Sequence, residues 1–282
     1  MTDPILVLGA TGGQGGAVVQ ALQHRGATIR ALVRRPASPR ARALAATGVE
    51  LVAGDLTDHA AVRSAMDGVG AAFAVTTPFE AGTDAEVAQG RAIIAAARDA
   101  RLPHLVFSSV AGADAGTGIP HFESKNVIET ELRASGLQHG VVAPTYFFDN
   151  ALGARDELHA GMLRLPIAGD HWLQQLDRAD LAAVAAIGLT EPGRLAGRRI
   201  EVAGDTPTPD EMARVLTEVL GREVRHVRYD LAVIGDPDMH AMWTFLAGDG
   251  YQADPAALGA EFPEITWTRF ADWARRALTA QE

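Results

Sequence analysis

The chain has 282 residues, a formal net charge of −10 and an apolar content of 48%, enough for one large core or for a domain with a smaller lobe. It contains no cysteine, which excludes disulfides, thiolate nucleophiles and cysteine-bound metals, and no metal site is expected. The acidic balance argues against a nucleic-acid partner, and without a basic-apolar leader or an apolar run of the roughly 18 residues that span a bilayer, a cytoplasmic protein away from membranes is expected.

The first predicted element is the most informative. Ile5-Leu-Val-Leu8 reads as a buried strand, and Gly9, Ala10, Thr11, Gly12, Gly13, Gln14 and Gly15 turn it directly into a helix over about 14–24. Three glycines in a strand-turn-helix context carry separate tasks: Gly9 permits the tight turn, Gly12 lets the backbone approach a pyrophosphate, and Gly15 lets helix and strand pack closely. The free N–H groups and positive dipole end of the helix then face the phosphates.

The second strand, over 28–33, ends in Arg34 and Arg35. A site that prefers NAD carries Asp or Glu here for the ribose 2′-hydroxyl, whereas an arginine fork suits a 2′-phosphate, so NADP(H) is the expected cofactor. Arg40 and Ser38 are secondary candidates for the same phosphate. A solvated arginine pair is the alternative reading.

A short helix is predicted over 39–47 and a third strand over 49–53. Asp55 and Leu56 follow at its carboxyl end, where an adenine would lie, and Asp58 is placed to cap the helix that runs to Met66. The fourth strand, over 71–75, leads into Thr76, Thr77 and Pro78. A long helix over about 86–100 then returns the chain to a fifth strand that ends in Ser108 and Ser109. Near-continuous apolar strands alternating with helices predict an α/β fold, a Rossmann-type doubly wound parallel sheet.

His121 opens the next helix with Lys125 four residues on, so the two share a face. Gly136 closes that helix, and the sixth strand, over 140–144, runs into Pro144, Thr145, Tyr146, Phe147 and Asn150, a cluster that either borders a nicotinamide or packs in the core. The pattern then changes. A turn and short strand over 165–176, a helix over 178–189, a strand over 199–202, a capped helix from Thr208 to Leu220, a strand over 223–229 and an amphipathic helix from Trp267 to Ala280 are expected. Residues 1–150 thus form the dinucleotide-binding domain, and 151–282 a smaller, intertwined α/β lobe for substrate or partner. Met239, Met242, Trp243, Phe245 and Tyr251 either wall a pocket over the nicotinamide or form that lobe's core.

The glycine turn with Gln14, Arg34, Gly54-Asp55, Ser108-Ser109, His121-Phe-x-x-Lys125 and Pro144-x-x-Phe147-x-x-Asn150 together resemble the NmrA-like family of atypical short-chain dehydrogenase/reductases. The resemblance covers nearly all of the chain, more loosely over the last hundred residues. It implies that Gly9 to Gly15 hold the pyrophosphate, Arg34 the 2′-phosphate, and Asp55 and Leu56 the adenine. Thr76, Thr77 and Pro78 would flank the adenosine ribose, Lys125 would bond the nicotinamide ribose, and Phe147 and Asn150 would border the nicotinamide. One departure stands out: His121 occupies the place of the tyrosine in the Tyr-x-x-x-Lys motif of the wider superfamily.

Two readings follow. In the first, the protein is an NADPH-dependent reductase of a small apolar acceptor such as a quinone, enone, imine or carbonyl. Lys125 supplies positive potential, Ser108 or Ser109 polarises an oxygen, and His121 donates the proton, since histidine exchanges protons near neutral pH. In the second, it is a non-catalytic NADP(H)-responsive regulator acting on a protein partner, which requires unequal cofactor affinity in two states. A homodimer is compatible with either.

Overall fold

The computed structural model describes residues 3–279. The first half alternates strictly: β1 (Ile5–Leu8), α1 (Gly13–His24), β2 (Ile29–Val33), α2 (Pro39–Ala46), β3 (Glu50–Ala53), α3 (His59–Met66), β4 (Ala71–Val75), α4 (Thr83–Asp99), β5 (Leu105–Ser108), α5 (Pro120–Ala134) and β6 (His139–Pro144). The second half contributes β7 (Tyr146–Phe147), α6 (Arg155–His159), β8 (Met162–Leu165), β9 (Gln175–Leu176), α7 (Arg178–Thr190), β10 (Arg199–Val202), α8 (Pro209–Leu220), β11 (Arg225–Arg228), α9 (Pro237–Leu246), α10 (Pro255–Glu261) and α11 (Phe270–Thr279).

Seven strands form one sheet in the order β10-β6-β5-β4-β1-β2-β3, and every pairing in it is parallel. Both faces are covered, as parallel sheets require. One layer carries α1 and α7, which pack on each other, and the other carries α3, α4 and α5. Leu6, Val7 and Leu8 lose all contact with solvent, each such burial favouring the fold by roughly 1.5–3 kcal/mol. The chain goes outward from β1 to β3 and then returns to β4 on the opposite side of β1. The carboxyl ends of β1 and β4 therefore flank a topological switch point, where a crevice opens.

Local signals set the helix boundaries. Asp58 caps α3 by accepting from the Ala61 N–H at 3.1 Å, and Thr208 and Glu211 form a reciprocal capping box on α8 with Pro209 in its first turn. Two expectations shift. The strand expected up to residue 176 is only Gln175–Leu176, because His171 turns aside to bond the Leu246 carbonyl at 2.9 Å. The last helix begins at Phe270 rather than Trp267, and Ala280, its expected end, lies outside the described residues. β10 joins the main sheet beside β6, and with α7 it ties the second half of the chain into the layers of the first. The rest of that half packs with α5 into a second core, in which Phe122, Phe148, Phe270 and Trp273 are fully buried. Among the described residues no helix is long and apolar enough to cross a membrane.

Candidate active site

A cleft of about 870 Å³ runs along the carboxyl ends of the strands, from Arg34 and Asp55 at one end to Trp243 and Tyr251 at the other. Its floor is the glycine turn. Gly9 has a left-handed φ of +75°, and the Gly12 N–H closes the turn on the Gly9 carbonyl at 2.9 Å. A Cβ at Gly15 would lie 2.5 Å from the Gly9 carbonyl carbon and 2.9 Å from the Ala10 nitrogen, so only glycine allows α1 to start this close to β1. No side chain caps α1, which leaves its first N–H groups for an anion. This cradle fits a pyrophosphate.

Arg178, at the start of α7, reaches over the same turn: its Nη1 lies 2.6 Å from where a Cβ on Gly13 would stand. It is held by Asp149 at 3.1 Å and by the face of Phe147, 5.7 Å from its ring centroid. A second cation thus faces the phosphate cradle from the other half of the chain.

At the end of the cleft nearest β2, Arg34 meets Glu80 of the loop between β4 and α4 through both terminal nitrogens, at 3.1 and 3.2 Å. Asp55 accepts from the Thr57 N–H and hydroxyl at 2.9 and 2.7 Å. These bonds, with a lesser contribution from Arg34, hold its carboxyl below the usual carboxylate range. Leu56, Thr77 and Pro78 complete this end.

Lys125 lies at the centre, with Nζ close to the Thr76 carbonyl (2.8 Å) and hydroxyl (3.0 Å), the Ser108 carbonyl (3.3 Å) and Glu86 (3.0 Å). Burial pushes its ammonium below the ordinary lysine range, while Glu86 and then Glu129 pull it back. Glu86 itself has no exposed surface and also accepts from Thr76 and from Ser124, at 3.0 and 2.5 Å. Three N–H groups already shared among four acceptors leave Lys125 none for a ribose unless one partner is exchanged.

The opposite end of the cleft combines His121, Phe79, Tyr146, Met239, Met242, Trp243 and Tyr251. His121 Nδ1 lies 2.5 Å from Asp238 Oδ1 on α9, and its ring packs against Phe122 and Phe79 at centroid distances of 4.8 and 5.8 Å. Burial pushes the Tyr146 phenol up to about 12 and outweighs a hydrogen bond with Asn150; Tyr251 is raised by the same cause.

Most of the residues singled out in the sequence border this cleft: Gly9, Thr11, Gly12, Gly13, Gln14, Gly15, Arg34, Asp55, Leu56, Thr76, Thr77, Pro78, Ser109, His121, Lys125, Pro144, Thr145, Tyr146, Phe147 and Asn150. Ala10, Arg35 and Ser108 do not. Ala10 is packed beneath the turn at 2% exposure, Arg35 points into solvent, and the Ser108 hydroxyl is spent on Gln14 Oε1 at 2.6 Å. Ser109 bonds the buried Glu129, and Ser38 caps α2. The Ser108 and Ser109 hydroxyls are thereby engaged rather than free to polarise a substrate oxygen, and Ser38 does not border the cleft. Met239, Met242, Trp243 and Tyr251 wall the cleft, whereas Phe245 packs behind them on Phe122 and Tyr251. Glu80, Phe79, Arg178 and Asp238 have no local sequence signal, because each reaches the site only through the fold.

A model of the NmrA-like family matches residues 1–246. An NAD(P)H azoreductase of Xenophilus azovorans is 34% identical over 231 residues, spanning 80% of this chain and 77% of that protein. Quinone oxidoreductase 2 of Escherichia coli is 31% identical over 228 residues, 79% of this chain and 76% of the relative. Among solved structures, an NADPH complex of the NADPH-dependent quinone oxidoreductase of Escherichia coli matches with a TM-score of 0.83 at 28% identity, covering 97% of this chain and 99% of that one. With a family model spanning most of its length and relatives of this extent, the chain belongs to the NmrA-like family.

Proposed function

We propose that the protein is an NADPH-dependent reductase of small, planar, electron-poor acceptors, with quinones and azo compounds as the leading classes. One observation carries this reading: a single cleft joins a glycine-lined phosphate cradle to a wall of Tyr146, Met239, Met242 and Trp243. When bound, a reduced nicotinamide supplies a hydride. The residues of the chain do the rest. The Gly9–Gly15 turn and Arg178 hold the pyrophosphate, Arg34 holds the 2′-phosphate, and the apolar wall excludes water from the reacting groups.

His121 is the proton donor in this reading. Its Nδ1 is tied to Asp238, so Nε2 is the ring nitrogen that can reach a heteroatom of the acceptor. The Tyr146 phenol, kept protonated by burial, is a second O–H at the same end. Lys125 contributes as a fixed positive charge rather than as a mobile donor, because its partners already engage it. Quinones accept a hydride readily and demand little acid assistance, because the hydroquinone anion is stabilised, which suits a site without the tyrosine of the Tyr-x-x-x-Lys motif; an azo group needs the nitrogen anion protonated, a role for His121. The names of the azoreductase and the quinone oxidoreductase among its relatives support the same acceptor classes.

The test follows NADPH absorbance against a panel of benzoquinones, naphthoquinones, azo dyes, enones and imines. Turnover of the planar acceptors, reduced at least tenfold by Trp243→Ala, is expected. Tight NADPH binding with no oxidation across the panel would contradict the reductase and leave the cofactor-responsive regulator.

A further inference from the structure

The charges around Arg34 do not match a seat made for a 2′-phosphate alone. Both terminal nitrogens of the guanidinium are engaged by Glu80, at 3.1 and 3.2 Å, and Asp55, bonded to Thr57, borders the same end of the cleft. One cation therefore faces two carboxylates, and the neighbouring Arg35 does not border the cleft. Glu80 is delivered by a closed turn: the Gly82 N–H bonds the Pro78 carbonyl at 2.7 Å, and Gly82 adopts a φ of +87°. The loop after β4 thus brings an acid to the end of β2, the place where a dinucleotide site that prefers NAD keeps its Asp or Glu.

Two ligands meet this arrangement differently. A 2′-phosphate that takes Arg34 must displace the Glu80 carboxylate and then remain beside it. A ribose ending in a 2′-hydroxyl leaves the ion pair standing and finds a carboxylate able to accept its O–H. Displacement costs little in itself, since the two side chains are 64% and 60% exposed and pairs of that kind contribute weakly. The lasting effect is repulsion between a carboxylate and a dianion.

We propose that Glu80 is a specificity-determining residue of the cofactor site: it competes with the 2′-phosphate for Arg34 and accepts the 2′-hydroxyl of NADH, so that the protein binds both cofactors with a narrowed preference for NADPH. This rests on the cofactor assignment above. The experiment measures Kd for NADPH and for NADH by tryptophan fluorescence in the wild type, Glu80→Gln, Arg34→Ala and the double variant, with melting temperature as a check on folding.

Glu80→Gln is expected to bind NADPH roughly three- to tenfold more tightly, as loss of a unit charge beside a dianion in high dielectric implies. It is expected to bind NADH less tightly, and the NADPH gain is expected to persist in reduced form in the Arg34→Ala background, where the carboxylate no longer competes for the guanidinium but still repels the 2′-phosphate. An unchanged NADPH to NADH ratio, or equal tightening of both cofactors, would overturn the role of Glu80 while leaving the cofactor site intact. A wild type that binds neither cofactor would overturn the assignment of the site and this inference with it.

Discussion

His104 precedes β5 at 1% exposure with neither ring nitrogen partnered among the described residues, and it shows how a single residue sets a pH limit on the fold. Burial first, and the nearby His139 second, lower its pKa from 6.5 to about 4. The unfolded chain takes up a proton as pH falls through 6.5, while the folded chain refuses it until about 4. The contribution of His104 to stability is therefore full above that window and lost as pH falls through it. His104→Leu is expected to flatten the acid side of a stability profile and to raise stability by ~2 kcal/mol at pH 5; denaturant midpoints across pH test this, and an unchanged acid limb would contradict it. Gly15 represents the opposite kind of constraint. A Cβ there meets backbone rather than a yielding side chain, so Gly15→Ala is expected to move α1 off β1, lower the melting temperature and abolish measurable NADPH binding.

At the scale of elements, α7 links the second half of the chain to the phosphate cradle of the first. Arg178, in its first turn, lies over Gly13 and is braced by Asp149 and Phe147. The pyrophosphate is common to both dinucleotides, so Arg178→Ala is expected to weaken NADPH and NADH by the same factor, roughly tenfold for the loss of one charge-assisted contact. Arg34→Ala is expected to weaken NADPH alone. Fluorescence titration of both cofactors separates the two arginines, and a selective effect of Arg178→Ala would place it at the 2′-phosphate instead. Thr208→Ala removes a capping box and is expected to cost about 1 kcal/mol with no effect on binding.

In the whole molecule, what could be read from the sequence depended on how local each signal is. The glycine turn is legible because its requirements fall on adjacent positions, and the inner strands because both their faces are buried in continuous apolar runs. β10 alternates, with Ile200 and Val202 buried and Arg199 and Glu201 partly exposed, as an edge strand does; its pattern says that it is a strand and not which sheet it joins. Glu80 lies 46 positions from Arg34 and Asp238 lies 117 from His121. No spacing rule connects such pairs, and they follow only once the β4–α4 loop and α9 are placed. The same holds for Ser108 and Ser109, which sit at the expected strand end but whose hydroxyls turn to Gln14 and Glu129.

The central claim, that one cleft binds NADPH and passes its hydride to a planar acceptor, is tested most directly by a single turnover. Protein saturated with NADPH is mixed with a benzoquinone or naphthoquinone in the absence of oxygen, and the nicotinamide absorbance is followed. The account predicts stoichiometric loss of NADPH at a rate that Trp243→Ala and His121→Ala both reduce. NADPH that stays bound and reduced in the presence of excess quinone would contradict it.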